Sequence, residues 1–276
     1  MDEPFSEHRE VSMTEPLSQG DVLEAVNTKT SIWQRHLLII TADCDLAFAK
    51  HQGRVTCVPL LPAGDYLSEM QVPRIREQLA NKQVDYIKKT ISKHRSNKIS
   101  DQRLREWATE EEPENIAKQL GLPREESKKI EASLKSIRLI DQKTSELKES
   151  VRNLIDSQMT GNGTKKRESV KKEITGRLRG VYTQPPGDAF FLSSIASGQS
   201  QGYFAYLRQI EQVWEPQISL GPTRKKTGYR RISHIEDRFT HALIQRFAMV
   251  FMSIGLPTEY EQIRDLHADV LGDDLA

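Results

Sequence analysis

The feature that most constrains the fold is a long segment with helical periodicity, from Tyr66 to about Ile174, in the middle of the chain. Within it, Val84, Ile87 and Ile91 recur at the spacing of one helix face. A longer amphipathic helix is predicted over 124–158, where most apolar positions follow steps of three and four. Each such helix must bury its apolar face on a neighbour, and an antiparallel hairpin suits this segment better than a long dimeric coiled coil.

Short strand-like segments lie on both sides of this helical region. Runs of branched or aromatic residues predict three strands before it and a hairpin after it, at 21–26, 37–40, 54–61, 189–192 and 203–207. The short connections between the first three are typical of an antiparallel sheet or small barrel, because a parallel pair needs a long crossover. A last helix is predicted over 235–254, with Gly255 as its stop.

Neither set of strands can form a stable unit alone, because two or three short strands bury too little apolar surface. We therefore predict an α+β fold: a small antiparallel β-barrel or sheet with a long inserted helical region and a C-terminal helix. The β-rich domain is assigned to 18–62 plus 185–256 and the helical insertion to 63–184. Residues 1–17 are predicted to be a flexible arm and 257–276 an acidic tail. Residues 36–61 should then pair or pack with 189–207.

Composition says little about the functional class of the protein, but it does predict the compartment in which the protein is found. The formal net charge is only +1, so no global field favours a nucleic acid or a membrane as partner. No apolar run reaches the roughly 18 residues of a membrane span, and the N-terminal residues do not resemble a signal peptide. Two cysteines in a chain of 276 residues are expected to be free thiols. These features predict a cytoplasmic protein with no membrane partner.

Two acidic residues follow the predicted strand 37–40, in the string Thr41-Ala42-Asp43-Cys44-Asp45-Leu46. The string resembles the first motif of haloacid-dehalogenase-like phosphotransferases, in which a strand ends in Asp-x-Asp. The resemblance implies that Asp43 is the nucleophile, that Asp45 is the acid/base, and that magnesium lies between them and the phosphate. The alternative is a turn in which Asp43 and Asp45 accept hydrogen bonds from nearby backbone amides.

A second candidate site combines an acid with two histidines. His234, Asp237 and His241 have the spacing i, i+3, i+7, which places them on one face of the predicted last helix, near Arg230 and Arg231. An acid and a histidine could perform general acid/base catalysis on a phosphodiester that the arginines hold. The alternative is an ordinary solvated helix face with an Asp237–His241 pair.

Two basic blocks flank the predicted hairpin 189–207, which carries five aromatic residues. The candidate nucleic-acid-binding residues in these blocks are Lys165, Lys166, Arg167, Lys171, Lys172, Arg224, Lys225, Lys226, Arg230 and Arg231. Single-stranded nucleic acid is often held in this way, with phosphates on cations and bases on aromatic rings. The alternative is that the aromatic residues form core and that the basic blocks are solvated loops or docks for the acidic termini.

Residues 19–62 resemble the SH3-like barrels of MazF/PemK-type toxins. The resemblance lies in the opening Gln19-Gly20-Asp21-Val22, in the apolar strand Leu37-Leu38-Ile39-Ile40 and in the strand Val55-Thr56-Cys57-Val58-Pro59-Leu60. It implies a barrel and a family of ribosome-independent endoribonucleases that act with a cognate antitoxin. The family's loop with glycine and arginine before the second strand is missing here, so no catalytic residue is transferred.

Three hypotheses follow. The first is a protein that interacts with RNA or single-stranded DNA, as a toxin-like or defence-associated bacterial component. The second is a metal-dependent phosphotransferase or hydrolase that uses Asp43 and Asp45, with magnesium as cofactor. The third is a non-catalytic adaptor that binds a protein partner through the helical insertion. Whether the chain is an enzyme is left open at this point.

Overall fold

The computed structural model describes residues 5–94, 99–144, 146–161, 166–221, 227–252 and 258–275. The chain has a mixed α+β fold, as predicted, and it divides into two compact units. The first unit comprises Met1–Leu60, Gly187–Ser200 and Ala205–Ala276, and the second unit comprises Leu61–Pro186 and Gln201–Phe204. The second unit covers nearly the same residues as the segment that we interpret as a helical insertion, 63–184.

The strands form one curled sheet. Their bounds are β1 His8–Arg9, β2 Asp21–Ala25, β3 His36–Ile39, β4 Arg54–Pro62, β5 Ala189–Leu192, β6 Tyr203–Tyr206, β7 Glu211–Trp214, β8 Ile218–Ser219 and β9 Tyr229–Ile235. The strand order is β1-β9-β2-β3-β4-β6-β5, with β7 paired to β4 and β8 paired to β9. The β8–β9 pair is parallel, whereas the β1–β9, β2–β9, β2–β3, β3–β4 and β4–β7 pairs are antiparallel. Since β4 lies beside β6, the predicted pairing of 36–61 with 189–207 is confirmed.

The continuous apolar runs became the central strands. All four residues of β3 are buried, and Leu38 lies opposite Val22 of β2 on one side and Val58 of β4 on the other. A branched run that is buried on both faces needs no alternation of apolar and polar residues, which is why 37–40 and 54–61 were recognisable as strands.

The strand β9 was not predicted, and it replaces part of the expected basic loop and the first residue of the expected last helix. It pairs with both β1 and β2, and the last helix of the sequence prediction begins at Asp237 rather than at Ile235. Arg231, Ser233 and His234 of β9 are buried although they are polar. Buried polar residues hide the periodicity on which a strand prediction depends.

The predicted flexible arm is partly anchored, which corrects the interpretation of 1–17. His8 and Arg9 form β1 opposite Ile235 and His234 of β9. The Glu7 carboxylate is buried and accepts hydrogen bonds from the backbone amides of Ser193 and Ser194 and from the Ser193 hydroxyl. These long-range bonds fix the segment in spite of its polar, acidic composition.

Eleven helices occur in the described part of the chain. They are α1 Ile32–Arg35, α2 Asp43–Ala47, α3 Ala63–Tyr66, α4 Val72–Ser92, α5 Asp101–Glu110, α6 Pro113–Gln119, α7 Arg124–Asp141, α8 Leu147–Gly161, α9 Arg167–Thr183, α10 Asp237–Met252 and α11 Thr258–Leu275. A π-helical turn, Leu67–Gln71, joins α3 to α4. Within the predicted acidic tail, 258–275 is helical as α11, and Gly255 lies outside the described residues.

The predicted helix 124–158 is in fact two helices, α7 and α8. Gln142 leaves the helical conformation directly after α7, and the side chain of Asp141 is drawn into an ion pair with Arg105 at 2.7 Å. The break coincides with Asp141 and Thr144, where the apolar seam of the sequence is interrupted. The fully buried residues Ile130, Leu134 and Ile137 of α7 belong to the core of the second unit.

None of the helices in the described ranges combines the length and apolar character that crossing a membrane requires.

Candidate functional site

A cavity of about 820 Å³ lies in the first unit beside the β4–β7 pair. Arg54 and Thr56 of β4 lie directly opposite Trp214 and Gln212 of β7. Because side chains alternate along a strand, these four residues share one face of the ladder. The intervening Val55 and Val213 point to the other face and are buried in the core. The alternation of side chains along both strands therefore places the polar and aromatic residues at the cavity.

The second wall of the cavity comes from α2 and the turn that follows it. Asp45 of α2 and the turn residues Lys50, His51 and Gln52 line the cavity. The turn is unusual because Ala49, Gln52 and Gly53 all have left-handed backbone, with φ of 52°, 50° and 73°. This backbone reverses the chain in a few residues and leads it into β4.

Two cations that line the cavity lie close to aromatic rings: Trp214, which also lines it, and Phe48, which does not. The guanidinium carbon of Arg54 lies 5.2 Å from the centroid of the Trp214 ring, and Trp214 is 51% exposed. The Lys50 ammonium lies 5.6 Å from the ring of Phe48, which is 73% exposed, and 3.9 Å from Asp45 Oδ1. A cation over an exposed ring is attracted to its negative face, so each pair presents a flat apolar surface next to a positive charge.

His51 ties the turn to the end of β7. Its Nδ1 donates to the backbone carbonyl of Asp45 at 3.0 Å, and its Nε2 lies 2.8 Å from Glu215 Oε2. Both partners are acceptors, so the doubly protonated imidazolium satisfies them best. The hydrogen bond to the Asp45 carbonyl, together with the bond to the Glu215 carboxylate, raises the pKa of His51. The side chain is only 4% exposed, which makes it a structural tie rather than a group open to a ligand.

The structure separates the two predicted catalytic carboxylates. Asp45 lines the cavity, whereas Asp43 is not among its lining residues and accepts a hydrogen bond from the backbone amide of Gln19 at 2.7 Å. Both residues lie in the first turn of α2, and residues two apart on a helix do not face the same way. Across the described residues, no cluster of three His, Cys, Asp or Glu could hold a metal ion. The pair does not fit a shared magnesium, and the phosphotransferase hypothesis is not carried further.

The predicted one-face constellation of His234, Asp237 and His241 is wrong. His234 belongs to β9, whereas Asp237 and His241 belong to α10. His234 Nδ1 lies 2.9 Å from Asp21 Oδ1, and its Nε2 lies 3.5 Å from Asp237 Oδ1. His234 is therefore paired with Asp21 of the neighbouring strand β2. The exposed His241 lies on α10, so the two histidines do not share a helix face.

Asp21, Arg231 and His234 form a buried cluster. Arg231 Nη1 donates to Asp21 Oδ2 at 3.0 Å, and the guanidinium also donates to the backbone carbonyls of Ser12, Glu15 and Pro16. The hydrogen bond with the Asp21 carboxylate raises the pKa of His234. The charged groups of the cluster are paired with opposite charges. Because Arg231 is hydrogen-bonded to Asp21 and to the N-terminal segment, it is removed from the predicted phosphate-binding residues.

The other predicted basic residues have three different outcomes. Lys166, Lys171 and Lys172 are exposed near or on α9 in the second unit. Arg167 pairs with Asp156 at 2.5 Å, and the Arg230 side chain, on β9, is exposed but donates to the Glu24 carboxylate through Nε at 2.7 Å. The remaining members, Lys165, Arg224, Lys225 and Lys226, lie outside the described residues.

The five aromatic residues of the predicted hairpin differ in burial: two belong to the core, whereas Phe190, Phe191 and Tyr206 are half-buried. Tyr203 and Phe204 are fully buried, and the Phe204 ring stacks on Tyr66 with centroids 4.3 Å apart. The exposed ring that lines the cavity beside a cation is Trp214, which the sequence prediction did not single out. A usable signal was present in the string Lys50-His51-Gln52-Gly53-Arg54, where three basic or titratable residues surround a turn glycine.

Comparison of the chain with protein-family models, with curated proteins and with solved structures finds no significant match. The sheet is curled and largely antiparallel, and the finer SH3-like assignment stays a prediction, as does the resemblance of residues 19–62 to MazF/PemK-type barrels.

Proposed function

We propose that the first unit binds single-stranded nucleic acid, RNA or DNA, at the cavity beside β4 and β7. The observation that carries the proposal is the Arg54 guanidinium against the half-exposed Trp214 ring, both of which line the cavity. Lys50 also lines it and lies near Phe48, an exposed ring outside the lining. Proteins that bind single strands combine cations for the backbone with aromatic rings on which bases stack. In the proposed complex a base stacks on Trp214 while Arg54 and Lys50 meet the phosphates.

The size and charge of the cavity support this assignment. Its volume of about 820 Å³ falls within the range of pockets that hold small organic ligands, a size class to which a nucleotide belongs. Lys50, Arg54 and protonated His51 outnumber Asp45 among the charged residues that line it. A positive lining attracts a polyanion, and stacking on an aromatic side chain adds about 1–3 kcal/mol per base.

A single strand suits the site better than a duplex because its bases are accessible. Stacking on a side chain requires that a base leave its neighbours, which costs least in an unpaired strand. The proposal is restricted to binding, because His51, the histidine at the cavity, is held by two acceptors and is almost inaccessible. The exposed lysines of the α9 region, Lys166, Lys171 and Lys172, belong to the other unit and are tested separately.

Titration of fluorescently labelled oligouridine and oligothymidine strands, followed by anisotropy at several salt concentrations, tests the proposal. We expect Trp214→Ala to weaken binding by about 5- to 150-fold, which corresponds to the loss of one stacked base at 1–3 kcal/mol. Arg54→Ala should weaken binding and should lower the salt slope by about 0.7 log units, the share of one phosphate contact on a single strand.

Matched controls lie elsewhere on the surface. Tyr260 of α11 is 53% exposed and Arg103 of α5 has a largely exposed side chain, so Tyr260→Ala and Arg103→Ala remove similar groups far along the sequence from the cavity. We expect both to bind as the wild type does. Absence of binding by the wild type at low salt, or equal losses in the controls, would contradict the proposal. A loss confined to a Lys166/Lys171/Lys172 variant would move the site to α9.

A further inference from the structure

Gln52 occupies a backbone conformation that its side chain disfavours. Its φ of 50° is left-handed, a region that residues other than glycine, asparagine and aspartate seldom adopt. Glycine would take the same conformation without strain, as Gly53 does next to it. Strained backbone of this kind persists only where the surroundings over-determine it, and it concentrates at ligand-binding positions.

The surroundings of Gln52 do over-determine its conformation. The Gln52 amide donates to the carbonyl of Ala49 at 3.1 Å, and the Arg54 amide donates to the carbonyl of His51 at 2.9 Å. The Gly53 carbonyl accepts from the backbone amide of Glu215 at 2.9 Å, while the His51 side chain is held at both nitrogens. The residues on both sides of Gln52 are therefore fixed, and the turn holds Gln52 in place.

The side chain of Gln52 is exposed and lines the cavity between His51 and Arg54. No hydrogen bond joins its carboxamide to another group in the described ranges, whereas the neighbouring His51 is fully engaged. A carboxamide offers one acceptor and a donor side by side. This arrangement matches adenine, whose N6 amino group donates and whose N7 accepts, and a glutamine can pair with both at once.

We infer that Gln52 is a base-reading residue that gives the cavity a preference for adenine. The inference rests on the proposed binding of single-stranded nucleic acid and adds a specificity to it: Trp214 stacks the base and Gln52 hydrogen-bonds its edge. In this arrangement the strained turn is the means by which a carboxamide is fixed next to the stacking ring. Gln212, across the ladder from Thr56, stands in ordinary strand backbone and serves as a comparison.

The test uses short oligouridine strands that carry one central adenosine, cytidine, guanosine or uridine, titrated against the full chain. A bidentate pair discriminates by about 1–3 kcal/mol, so the wild type should prefer the adenosine strand by about 5- to 150-fold. Gln52→Gly should reduce that preference to less than about twofold, because the bidentate pair with the adenine edge is lost. Gln52→Glu, which can only accept, should move the preference toward cytidine, whose N4 donates.

Ala49 provides a matched control for the backbone. It also has a left-handed φ, 52°, and it is not among the residues that line the cavity. Both Ala49→Gly and Gln52→Gly relieve the same kind of strain and should raise the melting temperature, but only Gln52→Gly should lose the adenosine preference. A lower melting temperature for Gln52→Gly than for the wild type would show that the side chain supports the turn, and would overturn the inference.

The remaining outcomes separate the inference from the proposed function. Wild-type binding without any base preference, or a preference that survives Gln52→Gly, overturns the reading role and leaves the binding proposal intact. A preference that Gln212→Ala removes and Gln52→Gly does not would assign the role to β7 and overturn it as well. Failure of the wild type to bind any strand at low salt overturns both.

Discussion

Two sites of the first unit each hold a histidine by acceptors at both ring nitrogens, and they differ in what they leave exposed. In the buried cluster the side chains of Asp21 and Arg231 are 0% and 1% exposed, and each charge is answered by another. At the cavity the histidine is similarly held, but Trp214, Lys50, Gln52 and Arg54 face outward. The first arrangement stabilises the fold, whereas the second uses a fixed histidine to present other groups.

The comparison has a practical lesson about charged residues in sequences. His234 and Arg231 look functional because they lie in a basic block with acids nearby. In the structure both side chains are hydrogen-bonded to Asp21 within the protein. Arg54 looks ordinary because it begins an apolar strand, yet its cross-strand neighbour is an exposed tryptophan. Whether the partners of a charge lie inside or outside the protein depends on pairings that are far apart in sequence.

The largest difference between the two sites should appear on neutralising one charge in each. Asp21→Asn keeps the size of the side chain but leaves Arg231 buried without a counter-charge, so the free energy of unfolding should fall by about 3–5 kcal/mol. Arg54→Ala removes an exposed group and should change it by about 0.5 kcal/mol or less. Urea unfolding followed by circular dichroism measures both.

A control for the buried variant is Asp237→Asn, since Asp237 also approaches His234 but its side chain is 82% exposed. It should cost far less than Asp21→Asn. If Asp21→Asn lost less than about 1 kcal/mol, the buried cluster would not be the structural site that its contacts indicate.

Glycines at the two sites offer a second, smaller contrast. Gly20 has φ +97°, and an added Cβ would lie 2.7 Å from Thr240 Oγ1 and 3.1 Å from His234 Cε1. Gly20→Ala should therefore cost about 2–5 kcal/mol, from left-handed strain of about 1–2 kcal/mol and overpacking of about 1–3 kcal/mol. At Gly53, φ +73°, the added Cβ would meet Trp214 ring carbons at an ordinary 3.4–3.5 Å, so only the strain of about 1–2 kcal/mol is expected.

Thermal or urea unfolding of the two alanine variants checks this ordering. Gly64→Ala serves as the reference, because a Cβ there meets nothing within 4 Å and Gly64 lies in α3, where alanine is the better helix former. Equal costs at Gly20 and Gly53 would mean that the buried cluster can yield to an extra methyl group as easily as the open cavity.

Much of the fold was predictable, for reasons visible in particular residues. The buried run Leu37–Leu38–Ile39 could only be a strand or a core helix, and its length decided for a strand. Val84, Ile87 and Ile91 marked α4 by spacing alone. The strand β9 escaped because Arg231, Ser233 and His234 are buried by virtue of partners such as Asp21, more than 200 positions away. No local pattern carries that information.

The candidate site was less predictable than the fold. Asp45 was singled out from its spacing with Asp43, and the structure retains it as a cavity residue while Asp43 serves as a backbone acceptor. The left-handed residues Ala49 and Gln52 leave no trace in the sequence, because neither residue type signals positive φ as glycine does. Trp214 became part of the site only through a strand pairing that the sequence did not reveal.

The smallest expected effect concerns pH, and it distinguishes the two histidines by what each one controls. The hydrogen bond to the Asp45 carbonyl raises the pKa of His51, and the bond with Asp21 raises the pKa of His234. A raised pKa means that the folded state favours the protonated form. The stabilisation is therefore complete below the unfolded value of about 6.5, and it is lost as pH rises through the folded pKa. Burial lowers the pKa of His36, which acts in the opposite sense by weakening the fold as pH falls below about 6.5.

The pH dependence of oligonucleotide binding should reflect the protonation of His51 and not that of His234. As pH rises through its raised pKa, the cavity loses a positive charge and the turn that carries Lys50 and Arg54 loses its imidazolium–carboxylate tie, so binding should weaken. Anisotropy titrations at pH 6 and pH 8 should show this loss in the wild type and in His234→Gln, but a much smaller one in His51→Gln. Unfolding free energies over the same range should lose part of their pH dependence in both variants. If His234→Gln flattened the binding profile and His51→Gln did not, the roles assigned to the cavity and to the buried cluster would have to be exchanged.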